Sequence, residues 1–180
     1  MIQKMKTPTK NNANYIIRPA AESDVCIISD LIRKLAEYEK LSAQVSLNEE
    51  TLAYWLFKKQ AAKVLLVEDT KKEVVAFALY FYNFSTFLGK PGIYLEDLYV
   101  LPPYRKQGIG KSIMVYLAQE TQKKDLGRLE WSCLNWNKDS IGFYLSIAAE
   151  SRDEWLSFRL SGAALAKLAN SADGATDNQA

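Results

Sequence analysis

Histidine is absent from this sequence of 180 residues. Without imidazole there is no Ser-His or Cys-His nucleophile pair and no histidine-bearing zinc site, so acid–base chemistry must use Glu, Asp, Tyr, Lys or Cys. Several hydrolase mechanisms are disfavoured from the outset. Cysteine is scarce: Cys26 and Cys133 fall on a predicted helix and a predicted strand, with no CxxC spacing and no second pair. Both read as buried free thiols, and no metal site is expected. No apolar run approaches the roughly 20 residues of a membrane span. The polar start MIQKMKTPTKNNAN has no apolar signal-peptide core, so the expected location is the cytoplasm. Charge of neither sign dominates, since 23 Lys and Arg against 21 Asp and Glu leave +2. That balance implies no general attraction to nucleic acid or to an anionic membrane, and the expected partner is a small molecule.

What is present is enough apolar material, 48% of residues, for one well-buried core. One domain is expected over residues 14–170. It lies between a polar, aperiodic segment 1–13, expected to be disordered, and a flexible tail 171–180 without large apolar side chains. Tyr15 to Arg18 reads as a strand stopped by Pro19, followed by a helix to about Tyr38 with Ile28, Leu31, Ile32 and Leu35 on one face. Ser46-Leu-Asn-Glu49 fits a capping box for a second helix through Tyr54 and Phe57. Val64 to Glu68 and Val74 to Tyr82 read as strands joined by a charged turn, and Ile93 to Val100 as another. A helix from Ile109 to about Lys124 precedes a strand from Arg128 to Leu134 and a short helix from Lys138 to Leu145. A strand from Glu154 to Leu160 and a helix from Ser161 to Ala169 complete the series. This order predicts an α/β fold with a sheet of mixed direction.

The stretch from Tyr94 to Met114, YLEDLYVLPPYRKQGIGKSIM, places a strand, a glycine turn and a helix start in succession. The first N–H groups of a helix have no intrahelical partner and carry the positive end of its dipole, so an anion, phosphate above all, is the expected ligand. A Walker A loop is excluded because Arg105 stands where that loop requires its first glycine. A dinucleotide fingerprint is excluded because its third glycine would fall at Ile113. Arg105-Lys-Gln-Gly108-Ile-Gly110 resembles instead the Arg/Gln-x-x-Gly-x-Gly/Ala pyrophosphate loop of the GNAT superfamily of acetyl-CoA-dependent N-acetyltransferases. The resemblance extends over roughly Tyr15 to Leu168. It sharpens to the diamine and polyamine acetyltransferases and their thialysine-acetylating relatives through Leu35-Ala-Glu-Tyr-Glu39, Tyr94-Leu-Glu-Asp97, Asn137-Lys-Asp-Ser-Ile-Gly-Phe-Tyr144 and Asp153-Glu-Trp155.

What the resemblance implies is a GNAT fold, a mixed and mostly antiparallel sheet flanked by helices, and a cytoplasmic homodimer using acetyl-CoA. The cofactor would be held by Arg105, Lys106, Gln107, Gly108, Ile109, Gly110 and Lys111, by the backbone of Leu98, Tyr99 and Val100, and by Asn137 and Ser140. Acetyl transfer needs a neutral amine, and an alkylamine with a pKa of about 10.4 must first lose a proton to a base. By resemblance Glu96 is that base and Asp97 a contributor to amine binding. Adjacent strand residues point to opposite faces, so one of the two faces the substrate unless a bulge turns the chain. Tyr144 matches the family's catalytic tyrosine, and a phenol of pKa about 10 suits a proton donor to the departing thiolate. Tyr38, Glu39, Asp153 and Trp155 match acidic and aromatic positions that contact a cationic acceptor, a chemistry that carboxylates and ring faces suit. The chain departs from the polyamine pattern at Ser85, where those enzymes have aspartate, at Phe87, where they have tryptophan, and at Ala148, which replaces a glycine. The first departure favours a shorter amine or lysine analogue over a polycation. A protein amine acceptor, or a silent acyl-CoA-binding module, remains an alternative on sequence alone.

Overall fold

The computed structural model describes residues 9–12 and 14–171. The expected mobility of the first residues and of the tail therefore falls mostly outside the described residues, apart from Thr9–Asn12. That segment forms a strand, β1, paired antiparallel with β2 (Tyr15–Pro19), within a stretch expected to be structureless. The chain divides into two compact units, one running to Ser132 and the other beginning at Cys133.

The first unit is a six-stranded sheet in the order β1-β2-β3-β4-β5-β6, with β3 at Lys63–Asp69, β4 at Val74–Ser85, β5 at Lys90–Val100 and β6 at Leu129–Trp131. Every neighbouring pair is antiparallel except β5 and β6, which run parallel, so the sheet is mixed and mostly antiparallel as expected. Helix α1 (Val25–Tyr38) covers one face: Ile28, Leu31 and Leu35 pack with Val64, Leu66, Phe77 and Tyr99. Strand alternation sends Leu65, Val67, Ala76 and Ala78 to the opposite face, where α3 (Ile109–Lys123) buries Ile109, Ile113 and Leu117. Burying a side chain of this kind stabilises by about 1.5–3 kcal/mol, and both helices owe their position to such apolar rows. Arg18 fastens β2 to this frame, its Nη1 donating to Asp24 Oδ2 at 2.7 Å and its Nε to Glu68 Oε1 at 2.6 Å. The Arg18 bond holds the Asp24 carboxyl below its usual range.

Helix α2 (Glu49–Ala53) starts from Asn48, whose side chain accepts from Thr51 N–H at 2.8 Å, two residues after the expected cap at Ser46. It continues as a π turn over Tyr54–Lys58. Among the described residues no helix is long and apolar enough to cross a membrane. Both cysteines are exposed, against the expectation of burial: Cys26 lies outside the packed stripe of α1, and Cys133 lies past the end of a strand that stops at Trp131.

The second unit contains α4 (Lys138–Ser146) and α5 (Gly162–Ala169). The strand expected at Glu154 to Leu160 does not form. That segment is exposed, with Trp155 at 66% and Phe158 at 91%, and alternation alone makes no strand where no ladder partner is paired. Helix α4 ends in a Schellman motif: Ala149 N–H donates to Tyr144 O at 3.1 Å and Ala148 N–H to Leu145 O at 3.0 Å. The motif needs a left-handed residue at Ala148, which has φ of 62° although it carries a Cβ. Replacing Ala148 by Gly should therefore stabilise the protein by roughly 0.5–1 kcal/mol, read as a rise of a few degrees in unfolding midpoint. An unchanged or lower midpoint would show that this turn carries no strain.

Candidate active site

The acidic centre of the first unit is set by a register slip. β4 and β5 pair as Leu79↔Asp97 and then Tyr80↔Leu95, so Glu96 is the extra residue of a β-bulge. Without it, residues 95 and 97 would share a face. With it, Leu95 lies opposite Tyr80 on the α3 side, while Asp97 falls in step with Leu79 and Tyr99 on the α1 side. The chain is thus turned at the one place where the sequence required a turn for both acids to serve one site. Glu96 is exposed and Asp97 half-buried.

Three carboxylates converge here. Burial, then the charges of Glu96 and Glu39, push the Asp97 carboxyl up to about 7. Glu39, one residue past the end of α1, is also raised by burial. Tyr38 and Tyr99 are tilted neighbours, with ring centroids 6.4 Å apart. Tyr38, Glu39, Glu96 and Asp97 therefore lie around one point of the first unit, whereas Asp153 and Trp155, expected beside them, belong to the second. Among the described residues no group of His, Cys, Asp or Glu has the arrangement of a metal site.

The glycine loop lies between β5 and α3. Lys106 and Gly108 have φ of 60° and 82°, left-handed conformations that suit glycine at Gly108 and are less usual at Lys106. Ser112 N–H makes the first helical bond, to Gly108 O at 2.9 Å, which leaves the N–H groups of Ile109, Gly110 and Lys111 without intrahelical acceptors. Gln107 supports the loop: its Nε2 donates to Pro103 O at 3.0 Å and its Oε1 accepts from the Tyr15 hydroxyl. Arg105 Nε donates to Val100 O at 2.9 Å, and its guanidinium carbon lies 4.5 Å from the Tyr38 ring centroid and 5.5 Å from that of Tyr99. That stacking was not legible in a motif where Arg105 counts as a loop residue.

Beside the loop, the sheet opens. β6 pairs with β5 from Ile93 to Leu95 and stops, whereas β5 continues to Val100. Leu101 N–H donates to Val75 O at 2.9 Å. By alternation the N–H groups of Val100 and Leu98 point to the other edge.

The remaining candidates lie in the second unit. Asn137 is buried and its side chain accepts from Ser140 N–H at 3.2 Å, capping α4. Tyr144 is partly buried beside Phe143, with ring centroids 5.2 Å apart. Asp153 and Trp155 are exposed, and Trp155 Nε1 donates to Glu154 Oε1 at 3.1 Å. Ser85, in the first unit, is 4% exposed and accepts from Leu88 N–H at 3.2 Å, so its hydroxyl serves the β4–β5 turn. Phe87 projects from that turn almost fully exposed.

A carboxyl raised above its ordinary range is a group the fold disfavours in its charged form. The stability associated with its protonation is present below the unfolded value near 4 and is lost as pH rises through about 7. Asp97→Asn should therefore raise the unfolding midpoint at pH 8 and leave it nearly unchanged at pH 4. Equal shifts at both pH values would disprove the burial of charge at Asp97.

The sequence profile of the Acetyltransferase (GNAT) family matches residues 30–147. The chain is 39% identical over 168 residues to the thialysine N-epsilon-acetyltransferase of Mus musculus, covering 87% of this chain and 98% of that one. It is 30% identical over 204 residues to an L-ornithine N5-acetyltransferase of Arabidopsis thaliana, covering 88% and 90%. Among solved structures, a Vibrio cholerae integron cassette protein superposes with a TM-score of 0.75 at 25% identity, over 89% of this chain and 100% of that one. With the family profile spanning most of the chain and the loop, bulge and open sheet edge in place, the protein belongs to the GNAT family of acetyltransferases.

Proposed function

We propose that this acetyltransferase uses acetyl-CoA to acetylate a primary amine of a small cationic acceptor, a diamine, polyamine or lysine analogue, with short amines and lysine analogues preferred. The observation that carries the reading is the convergence of Glu39, Glu96 and Asp97 beside Tyr38 at the bulge, since three neighbouring acids attract a cation and repel an anion. The names of the relatives, a thialysine and an ornithine acetyltransferase, support the same class. The preference for short acceptors rests on those names, because the Ser85 hydroxyl is engaged within its own turn.

The residues fit the cofactor. The N–H groups of Ile109, Gly110 and Lys111, which have no intrahelical acceptor, with the left-handed turn at Gly108, would hold the pyrophosphate. Asn137 and Ser140 are further proposed contacts. When bound, acetyl-CoA supplies the activated acetyl group. Asp97 and Glu39 attract the acceptor's ammonium, and Glu96 removes its proton, directly or through water. The N–H groups of Leu98 and Val100 stabilise negative charge on the carbonyl oxygen. Tyr99 contributes backbone and ring to the same wall, and the Tyr144 phenol holds the proton that a departing thiolate takes. Asp153 and Trp155 are proposed acceptor contacts by family likeness alone. The protein is further proposed to act as a cytoplasmic homodimer, for which the exposed aromatic segment around Trp155 and Phe158 offers an apolar surface.

An amine panel of thialysine, L-ornithine, putrescine, spermidine, spermine and a lysine peptide, followed by thiol release from acetyl-CoA, tests the assignment. Thialysine and ornithine should turn over best. Release with spermine alone overturns the preference for short amines and lysine analogues, release with the lysine peptide alone overturns the small-acceptor class, and release with none of the amines overturns the enzyme reading. Gly108→Val should weaken acetyl-CoA binding at least tenfold, and Tyr144→Phe should lower kcat far more than it weakens acetyl-CoA. A change in kcat within about twofold, or ~0.4 kcal/mol, would remove Tyr144 as the acid.

The two acids separate by pH profile. Because Asp97 is pushed up to about 7, the acceptor's KM should rise as pH falls through 7. Asp97→Asn should abolish that inflection. Glu96→Gln should move it to lower pH, by removing a neighbouring charge, and should lower kcat with partial recovery at high pH, where more amine is neutral. An inflection that neither substitution moves would exclude both acids from the titration.

A further inference from the structure

Arg105 opens the glycine loop, yet its side chain is engaged elsewhere. The guanidinium rests on the faces of two rings from two different elements, Tyr38 at the last position of α1 and Tyr99 on β5. Its Nε is tied to Val100 O at 2.9 Å, at the very end of β5. Among the described residues it forms no ion pair. The next residue, Lys106, is left-handed at φ 60°. Glu39, which acts on Asp97, directly follows Tyr38.

We propose that Arg105 is a positioning residue that couples the anion loop to the acceptor side of the site, clamping the end of α1 against β5 through Tyr38 and Tyr99. The inference rests on the reading of the loop as the coenzyme A site and of the acid cluster as the acceptor site. The physical chain is short. An anion seated on the N–H groups of Ile109, Gly110 and Lys111 orders the loop, and ordering the loop fixes the residue that enters it. A fixed guanidinium then holds Tyr38 by its ring face, and with it the backbone that presents Glu39 to Asp97. A mobile loop loosens the same chain. By linkage the effect is reciprocal: a bound cationic amine that draws Glu39 inward favours the ordered loop and so tightens the cofactor. The full coupling uses a flat cation with a donor on its stem, which arginine supplies, whereas lysine keeps only the charge over the rings.

Calorimetry on the full chain tests this, with coenzyme A as one ligand and L-ornithine as the other. In the wild type, saturating coenzyme A should tighten ornithine about fivefold or more, a size usual for coupled sites. Arg105→Met should abolish the enhancement, while Arg105→Lys should retain a fraction of it. Tyr38→Leu should abolish it equally, and adding Arg105→Met to Tyr38→Leu should remove nothing further, since both act through one contact. In turnover, Arg105→Met should raise the ornithine KM more than it lowers kcat. Survival of the enhancement in Arg105→Met overturns the proposal. So does a tenfold or greater loss of coenzyme A affinity in that variant, which would make Arg105 an anion ligand. A wild type that binds coenzyme A without any effect on ornithine overturns the coupling alone, whereas a wild type that binds no coenzyme A overturns the functional reading and the coupling with it.

Discussion

The geometry of the acidic centre depends on one inserted residue. A strand alternates its side chains with period two, and nothing in side-chain chemistry can move a residue to the other face; only a change in register does so. The bulge at Glu96 makes that change. It keeps Ile93 and Leu95 on the side of the sheet covered by α3, then delivers Asp97 and Tyr99 to the side covered by α1. One strand thereby seals a core in its first half and lines a polar site in its second. The same residue that shifts the register supplies a carboxylate and raises its neighbour's proton affinity.

The bulge also lies where the sheet opens. β6 accompanies β5 only as far as Leu95, and the irregularity begins at the next residue. Beyond that point, among the described residues, β5 has a strand partner only in β4, and on its other edge Val100 O is taken by Arg105 Nε, a side-chain bond in place of a ladder. Here the open edge runs directly into the loop that opens α3. Charge is distributed accordingly: helix N–H groups at the loop, carboxylates at the bulge, and a single guanidinium between them lying on aromatic faces.

Much of this was legible from residue types. The apolar rows of α1 and α3 predicted their helices closely, and the loop from Arg105 to Gly110 announced its backbone by its glycines and its place between a strand and a helix. The acids Glu39, Glu96 and Asp97 were found by resemblance, and the sequence posed the right question about them, since two adjacent strand residues cannot share a face without a bulge. It could not answer, because a bulge is a relation between two strands and Glu96 carries no mark of it. The strand expected at Glu154 to Leu160 failed for the same reason: alternation describes one segment, and a strand needs two. β1 was missed because a polar quartet has no periodicity, although backbone pairing with β2 does not require one. The stacking of Arg105 on Tyr38 and Tyr99 joins residues far apart in the chain, which no local motif encodes.

The exposure of both cysteines has a consequence for chemistry at the surface. A buried thiol is silent towards electrophiles and oxidants, whereas Cys26 and Cys133 are both open to them. Glu49 raises the Cys26 thiol and so lowers the fraction present as thiolate, which slows its reaction without preventing it. The protein therefore carries its own reducing equivalents into any mixture in which a free thiol is the product, and a sulfhydryl reagent will titrate the catalyst along with the reaction.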